Sequence, residues 1–244
     1  MEIVCTIGPA TFSPSMIRML WCAGVTVFRL NLSHTQSLEE IDKFTEIVRN
    51  ETDGKTCLDT HGMKFCSPSD TALFTKFDIK VLKYSKSDVI VDQVAVSFAQ
   101  SVEAIQKARE LSGNKYVIAK IESKAGFDNK ERIIAEADAV LIDRGDLSRS
   151  VPIEEIPRYC REIILTCKGL KTPVWVATNL LESMVGSPHP TMGEVNDIAS
   201  LLLQGVDGLV LAAETAIGNY PIQCVEFVRR MIEVYSCGDN SEKP

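Results

Sequence analysis

The chain alternates short apolar runs with longer segments whose apolar residues recur at helical spacing. Eight runs read as strands: Glu2–Ile7, Val25–Leu32, Thr56–Asp59, Asp92–Phe98, Tyr116–Ala119, Ala139–Ile142, Pro173–Ala177 and Val206–Leu211. Unbroken apolar runs such as Tyr116–Ala119 and Ala139–Ile142 suit parallel strands buried on both faces. Between the runs, Ser13-Pro14 opens a helix with Met16, Ile17, Met19 and Leu20 on its apolar face, and Gly24 stops it. A second helix runs from about Ser37 to Asn50, with Leu38, Ile41, Phe44, Ile47 and Val48 at helical spacing. Further helices are expected over Phe74–Tyr84, Val102–Leu111, around Ile133, Ile134 and Ala137, and over Pro152–Lys168 with Ile163, Ile164 and Leu165 inward. Thr191 and Glu194 form a capping box for a helix that runs to about Leu203, and a last helix spans about Pro221–Tyr235. Met63–Thr71 reads as a surface loop, and the polar Cys237–Pro244 as a frayed tail.

Eight strands alternating with helices favour an α/β fold, a single (β/α)8 TIM barrel over residues 1–236. An open doubly wound sheet is the structural alternative. The first strand is not followed by G-x-G-x-x-G, which weakens a dinucleotide-binding reading. The composition changes this picture little: 244 residues, 45% hydrophobic and 24% charged, suit an ordinary globular protein. The net charge of −7 argues against nucleic-acid or anionic-membrane partners. No run approaches the ~18 apolar residues of a membrane span. The start, M-E-I-V-C-T-I-G-P-A, has no basic region and only a short apolar run, so no secretory leader is expected. Eight scattered cysteines without a C-x-x-C pair suggest free, buried thiols in a reducing cytoplasm, and three scattered histidines offer no zinc site.

The candidate chemistry lies at the strand ends, where a barrel of this kind builds its active site. Strand two contributes Arg29, Asn31, Ser33 and His34; strand three, Asp59 and Thr60; strand five, Lys120 and Glu122. Strand six contributes Asp143, Arg144 and Asp146, strand seven Thr178 and strand eight Glu214. Glu122 and Asp146 are hard oxygen ligands suited to Mg²⁺ or Mn²⁺. Lys120 and Arg29 could neutralise a phosphate or a developing enolate, and Thr178 could donate to a carboxylate. Asn31, Ser33 and Asp59 offer oxygens for a monovalent cation, though polar strand ends more often anchor loops. Asp143 is available as a base or as an ion-pair partner of Arg144 or Lys120.

Several of these stretches resemble the pyruvate kinase family. I-A-K-I-E-S-K-A-G-F-D-N and D-R-G-D-L-S look like its signature, and C-T-I-G-P-A like its opening strand. F-R-L-N-L-S-H, L-D-T-H-G, V-A-V-S-F-A-Q-S, V-A-T-N-L-L-E-S-M, P-T-M-G-E-V-N-D and A-A-E-T-A-I-G-N-Y-P extend the likeness along nearly the whole chain. The resemblance implies that Lys120 stabilises the enolate and the transferring phosphoryl group, with Glu122 and Asp146 as divalent-metal ligands. It implies that Arg29 faces phosphate, and that Asn31, Ser33, Asp59 and Thr60 hold K⁺. The amides of Gly145 and Asp146, with Thr178, would then meet the carboxylate of phosphoenolpyruvate or pyruvate.

The departures bear on the same chemistry. Only a short loop stands where the family inserts a lid domain after strand three, and the chain ends where the family's C-terminal domain would follow. Met63-Lys64-Phe65-Cys66 replaces P-E-I-R, removing an arginine near the transferring phosphate. His61 stands for a lysine, Asp143 for a small residue, Ser148 for a glycine, and Met192 for an arginine of a subunit contact. Phosphoryl transfer depends on positioning and charge neutralisation, so transfer to ADP is expected to be weakened and nucleotide binding is left open. An enolate lyase, aldolase or decarboxylase on a 2-oxo acid is the alternative, with a non-catalytic sensing barrel a third reading. Apolar residues on the last two barrel helices leave room for a homo-oligomer.

Overall fold

A computed structural model describes residues 1–35, 37–62, 73–86 and 91–236; the Met63–Thr71 loop and the Cys237–Pro244 tail lie outside the described residues. Its elements are β1 (Glu2–Ile7), α1 (Pro14–Ala23), β2 (Val27–Asn31), α2 (Leu38–Glu51), β3 (Lys55–Asp59) and α3 (Lys76–Tyr84). These are followed by β4 (Gln93–Val96), α4 (Val102–Ser112), β5 (Tyr116–Ile121), α5 (Lys124–Asp128), α6 (Lys130–Glu136) and β6 (Ala139–Asp143). The last third holds α7 (Arg144–Leu147), α8 (Ile156–Leu170), β7 (Val174–Ala177), α9 (Met192–Leu203), β8 (Gly208–Leu211), α10 (Ala213–Ala216) and α11 (Pro221–Ser236). All eight strands pair in parallel with their sequence neighbours, and β8 pairs with β1 to close the barrel. The open-sheet alternative is thereby excluded.

The strands carry apolar residues on both sides because they serve two cores. Val4, Val27, Cys57, Ala95, Ile118, Ala139, Leu141, Trp175, Ala177 and Val210 pack together inside the barrel. Alternate residues such as Ile3, Phe28, Leu58, Val94, Val117 and Leu209 face the helices.

Local signals act as the sequence suggests. Ser13 accepts a hydrogen bond from the Met16 amide with Pro14 in the first turn, and Gly24 ends α1 at a φ of 123°. Thr191 and Glu194 form the capping box of α9. Gly113 and Asn114 reverse the chain with φ of 74° and 63°.

Other expectations are corrected. The second strand begins at Val27, and Leu32–His34 form a 3-10 turn. The third helix starts at Lys76, capped by Thr75, rather than at Phe74. β5 and β6 run on through Ile121 and Asp143, so Lys120 and Asp143 lie within strands rather than after them. Two helices, not one, link β5 to β6, and Ala137 caps the second with extended backbone. A 3-10 turn at Ile153–Glu155 precedes α8, on which Leu165 is 61% exposed. Met19 on α1 is also largely exposed, and so is Cys22, whereas Cys5, Cys57, Cys160, Cys167 and Cys224 are free and buried.

Candidate active site

Stepping two residues at a time up each strand from the inner core leads to polar side chains. Val27 leads to Arg29 and Asn31, Cys57 to Asp59, Ala95 to Ser97, Ile118 to Lys120 and Glu122, and Leu141 to Asp143. Strand alternation therefore gathers these groups at the C-terminal mouth of the barrel.

Lys120 is the centre of the group. Its Nζ lies 3.1 Å from Glu122 Oε2, 3.2 Å from Asp59 Oδ2 and 3.6 Å from Asp143 Oδ2. It donates to Ser97 Oγ at 3.0 Å, and Ser97 in turn donates to Asp59 Oδ1 at 2.9 Å. Arg29 grips Asp59 Oδ2 through Nε at 2.7 Å and through Nη2, and its Nη1 donates to Thr6 Oγ1 at 2.7 Å. Burial works against the charge on Lys120, but Asp59, Glu122 and Asp143 outweigh it and raise its pKa above the usual lysine value. Asp59 is held below the ordinary carboxylate range in spite of burial, by Arg29 and Lys120.

Glu122 is different. Burial pushes its carboxyl up to about 7; Lys120 opposes this, while Asp143 and Asp59 add to it. Its Oε1 accepts from the Phe98 amide at 2.7 Å. Its Oε2 is buried with no aligned hydrogen bond among the described residues, although the Lys120 charge is 3.1 Å away. One oxygen each from Glu122, Asp143 and Asp146 lie within 4.8 Å of one another. Around this point three cations, Arg29, Lys120 and Arg149, face four carboxylates, Asp59, Glu122, Asp143 and Asp146. Asp146 reaches outward to Arg149 at 3.1 Å. A buried carboxylate oxygen that meets only the Lys120 charge, three convergent carboxylates and an excess of negative charge fit a divalent cation with oxygen ligands.

Thr178 closes the other side. Its Oγ1 accepts from the Gly145 amide at 2.8 Å and lies 3.3 Å from Asp143 Oδ1. Asp143 Oδ1 also caps α7 by accepting from the Asp146 amide at 3.4 Å. The two amides expected at a substrate carboxylate are therefore engaged within the protein. Thr178 holds a φ of 69° and Asn179 one of 54°; left-handed backbone at a β-branched residue is strained. Phe98, whose amide meets Glu122, is likewise left-handed at 51°.

Not every strand-end residue joins this group. Arg144 turns away to Asp197, at 2.6 Å, and to the carbonyls of Thr178 and Asn179. It is no partner for Asp143. Glu214 is fully buried and accepts from the amides of Leu181 and Ala212, so it anchors loops. His34 is exposed. His61 pairs with the buried Asp78, its Nδ1 3.2 Å from the carboxylate. Asn31 and Asp59 are register neighbours on β2 and β3, whereas Ser33 is exposed on the turn that Asn31 caps. Thr60 is buried and accepts from the Ser97 amide at 3.0 Å. Sequence reasoning missed Ser97 as a member of the site. Its signal was its place two residues beyond Ala95 on a strand whose neighbours end in charge.

The pattern of strand ends has a counterpart among known proteins. The barrel domain of pyruvate kinase, as a family model, matches residues 1–68 and 68–225. The chain belongs to the pyruvate kinase family. A pyruvate kinase of Agrobacterium vitis is 44% identical over 144 residues, which cover 59% of this chain and 30% of the relative. That of Thermotoga maritima is 41% identical over 145 residues, 58% of this chain and 31% of the relative. Plastidial pyruvate kinase 3 of Arabidopsis thaliana is 34% identical over 200 residues, 80% and 34%. The chain thus spans about a third of these relatives' length.

A further alignment to an Agrobacterium vitis pyruvate kinase, 28% identical, takes in 95% of this chain and 68% of the relative over 324 positions. The chain has only 244 residues, so this relative of the pyruvate kinase family carries segments that the chain lacks. The family match itself divides at residue 68, between β3 and α3. Met63–Cys66 lies outside the described residues. Among the described residues no helix is long and apolar enough to cross a membrane.

Proposed function

We propose that this chain is a pyruvate kinase-like, metal-dependent enzyme acting on phosphoenolpyruvate, pyruvate or a related 2-oxo acid through a stabilised enolate. The observation that carries this reading is the convergence of Glu122, Asp143 and Asp146 beside the buried Lys120. Glu122 and Asp146 would hold Mg²⁺ or Mn²⁺, with Asp143 in reach as a third ligand. Such an ion, when bound, acts as a Lewis acid that lowers the cost of charge on a substrate oxygen. Lys120 stays protonated and donates to the enolate oxygen or to the phosphoryl group. Arg29 faces the phosphate. The amides of Gly145 and Asp146, once released by Thr178 and Asp143, meet the carboxylate together with the Thr178 hydroxyl. Asn31, Ser33, Asp59 and Thr60 form the K⁺ site, a reading supported by the pairing of Asn31 with Asp59. Where Asp143 is not a ligand, it is the base beside Lys120.

A second reading rests on the connection between β3 and α3, which spans only residues 60–75. That is far less than a lid domain, since domains begin at about 50 residues. Without a lid, water enters and the nucleotide loses contacts, so transfer to ADP is weak. Enolate chemistry needs no nucleotide, and a lyase, aldolase or decarboxylase acting on a 2-oxo acid would use the same groups. We place the activity in the cytoplasm.

Solvent-deuterium exchange into the methyl group of pyruvate tests both readings, with Mg²⁺ or Mn²⁺ and K⁺, with and without ATP, followed by NMR. Metal-dependent exchange that falls at least about a hundredfold in Lys120→Met and Glu122→Gln is expected. Dependence on ATP favours a kinase; exchange without it favours a lyase. No exchange under any condition would count against pyruvate as the substrate, in favour of a non-catalytic sensing barrel or of a substrate larger than pyruvate.

A further inference from the structure

Asp143 is held differently from the other buried carboxylates of the site. Asp59 is pinned by Arg29 at 2.7 Å and by Ser97 at 2.9 Å, and Glu122 by the Phe98 amide at 2.7 Å. Asp143 is only 6% exposed, yet its contacts among the described residues are all long. Its Oδ1 lies 3.3 Å from the Thr178 hydroxyl and 3.4 Å from the Asp146 amide, and its Oδ2 lies 3.6 Å from Lys120 Nζ. The one proton of the Thr178 hydroxyl has a nearer acceptor in the Ala177 carbonyl, at 2.6 Å. An ammonium, an amide and a hydroxyl thus surround the Asp143 carboxylate without closing on it.

The point they surround is small. At Gly145 even a Cβ would sit 3.4 Å from both Asp143 Oδ1 and Thr178 Oγ1. Two carboxylates in one buried point also repel each other, so a ligand's carboxylate enters only in place of that of Asp143. Asp143 has somewhere else to turn. One of its oxygens already lies within 4.8 Å of oxygens of Glu122 and Asp146, where a divalent cation fits.

We propose that Asp143 is an internal occupant of the carboxylate-binding point, and that it yields this point to the substrate by turning to a divalent cation held with Glu122 and Asp146. Asp143 thereby sets the order of binding, cation before carboxylate, and closes the metal-free site to small carboxylates. Cation and carboxylate raise each other's affinity through it. This rests on the proposed function only in taking the ligand to carry a carboxylate; it requires no turnover.

The test is a ligand-observed NMR titration of the full chain, stripped of divalent metal and kept in K⁺. The probes are acetate, which is little more than the carboxylate group, and pyruvate. Asp143→Ala is expected to bind at least about tenfold more tightly than the parent chain. Asp143→Asn removes the charge but keeps the volume, and should gain much less. Saturating Mg²⁺ should shrink the difference between the parent chain and Asp143→Ala. No gain with either probe, equal gains in Asp143→Ala and Asp143→Asn, or a difference that Mg²⁺ leaves intact would overturn the proposal. Acetate bound by Asp143→Ala without pyruvate binding under any condition would support the internal occupant and count against pyruvate as the ligand. Should Asp143→Ala fail to fold, Asp143→Ser serves in the same comparison.

Discussion

At the scale of single residues, the site depends on which partners cross between strands. Ser97 stands between an anion and a cation, accepting from Lys120 and donating to Asp59. Its removal leaves Asp59 without one of its donors and Lys120 without one of its acceptors, both in a buried setting. Ser97→Ala is expected to lower the pyruvate exchange rate at saturation about tenfold with KM little changed, because Lys120 loses its set position. It should also cost about 1–3 kcal/mol of stability, read from denaturant unfolding. A lower KM effect with an unchanged rate would count against a positioning role. The sequence displayed Lys120, Glu122, Asp143 and Asp146 because their charges interrupt apolar runs. It did not display Ser97, since a serine beside a strand end is ordinary. Nor did it show Arg144 turning toward Asp197, for that depends on where α9 lies.

At the scale of elements, local chemistry and packing divide the work. Glu194 accepts from the amide and hydroxyl of Thr191 and from the amide and hydroxyl of Ser183, so one carboxylate ties α9 to the Glu182–Val185 turn. Burial works to raise its pKa, but these hydrogen bonds outweigh it and hold the group below the usual glutamate value. A carboxylate with a lowered folded-state pKa gives stability above its unfolded value, and loses it as pH falls through the folded one. Glu194→Gln should therefore cost about 1–2 kcal/mol near neutral pH, with the deficit shrinking below about pH 4. Denaturant midpoints of both proteins across pH 3–7 would show this; a deficit independent of pH would assign the effect to packing instead. The Thr191–Glu194 capping box was legible because it is local. The division of α5 from α6 was not; it falls at Asn129, which ends one helix and begins the next and donates to the Gln100 carbonyl at 3.0 Å, a contact with another loop. Leu165 follows two inward isoleucines, and spacing alone did not say that its arc of α8 faces outward.

At the scale of the whole molecule, closure decides what the strand ends can do. Gly208 makes room for the Trp175 indole where β7 and β8 pair, one strand from the β8–β1 closure. Gly208→Ala is expected to overpack this layer and to cost about 1–3 kcal/mol, with a changed near-ultraviolet signal from tryptophan. The double variant with Trp175→Phe should fall short of additivity, because the smaller ring relieves the clash. Additive losses in unfolding experiments would place the strain elsewhere. The sequence by itself determined the order of eight strands and their helices, since apolar runs, caps and turn residues are properties of neighbours along the chain. It also determined which residues carry charge at strand ends. Only the tertiary structure decided that β8 meets β1, that three carboxylates and one lysine share a point, and that a buried Glu122 oxygen meets only the Lys120 charge there. The reason is that the mouth of the barrel joins residues from several strands, and their distances are set by barrel closure rather than by spacing along the chain.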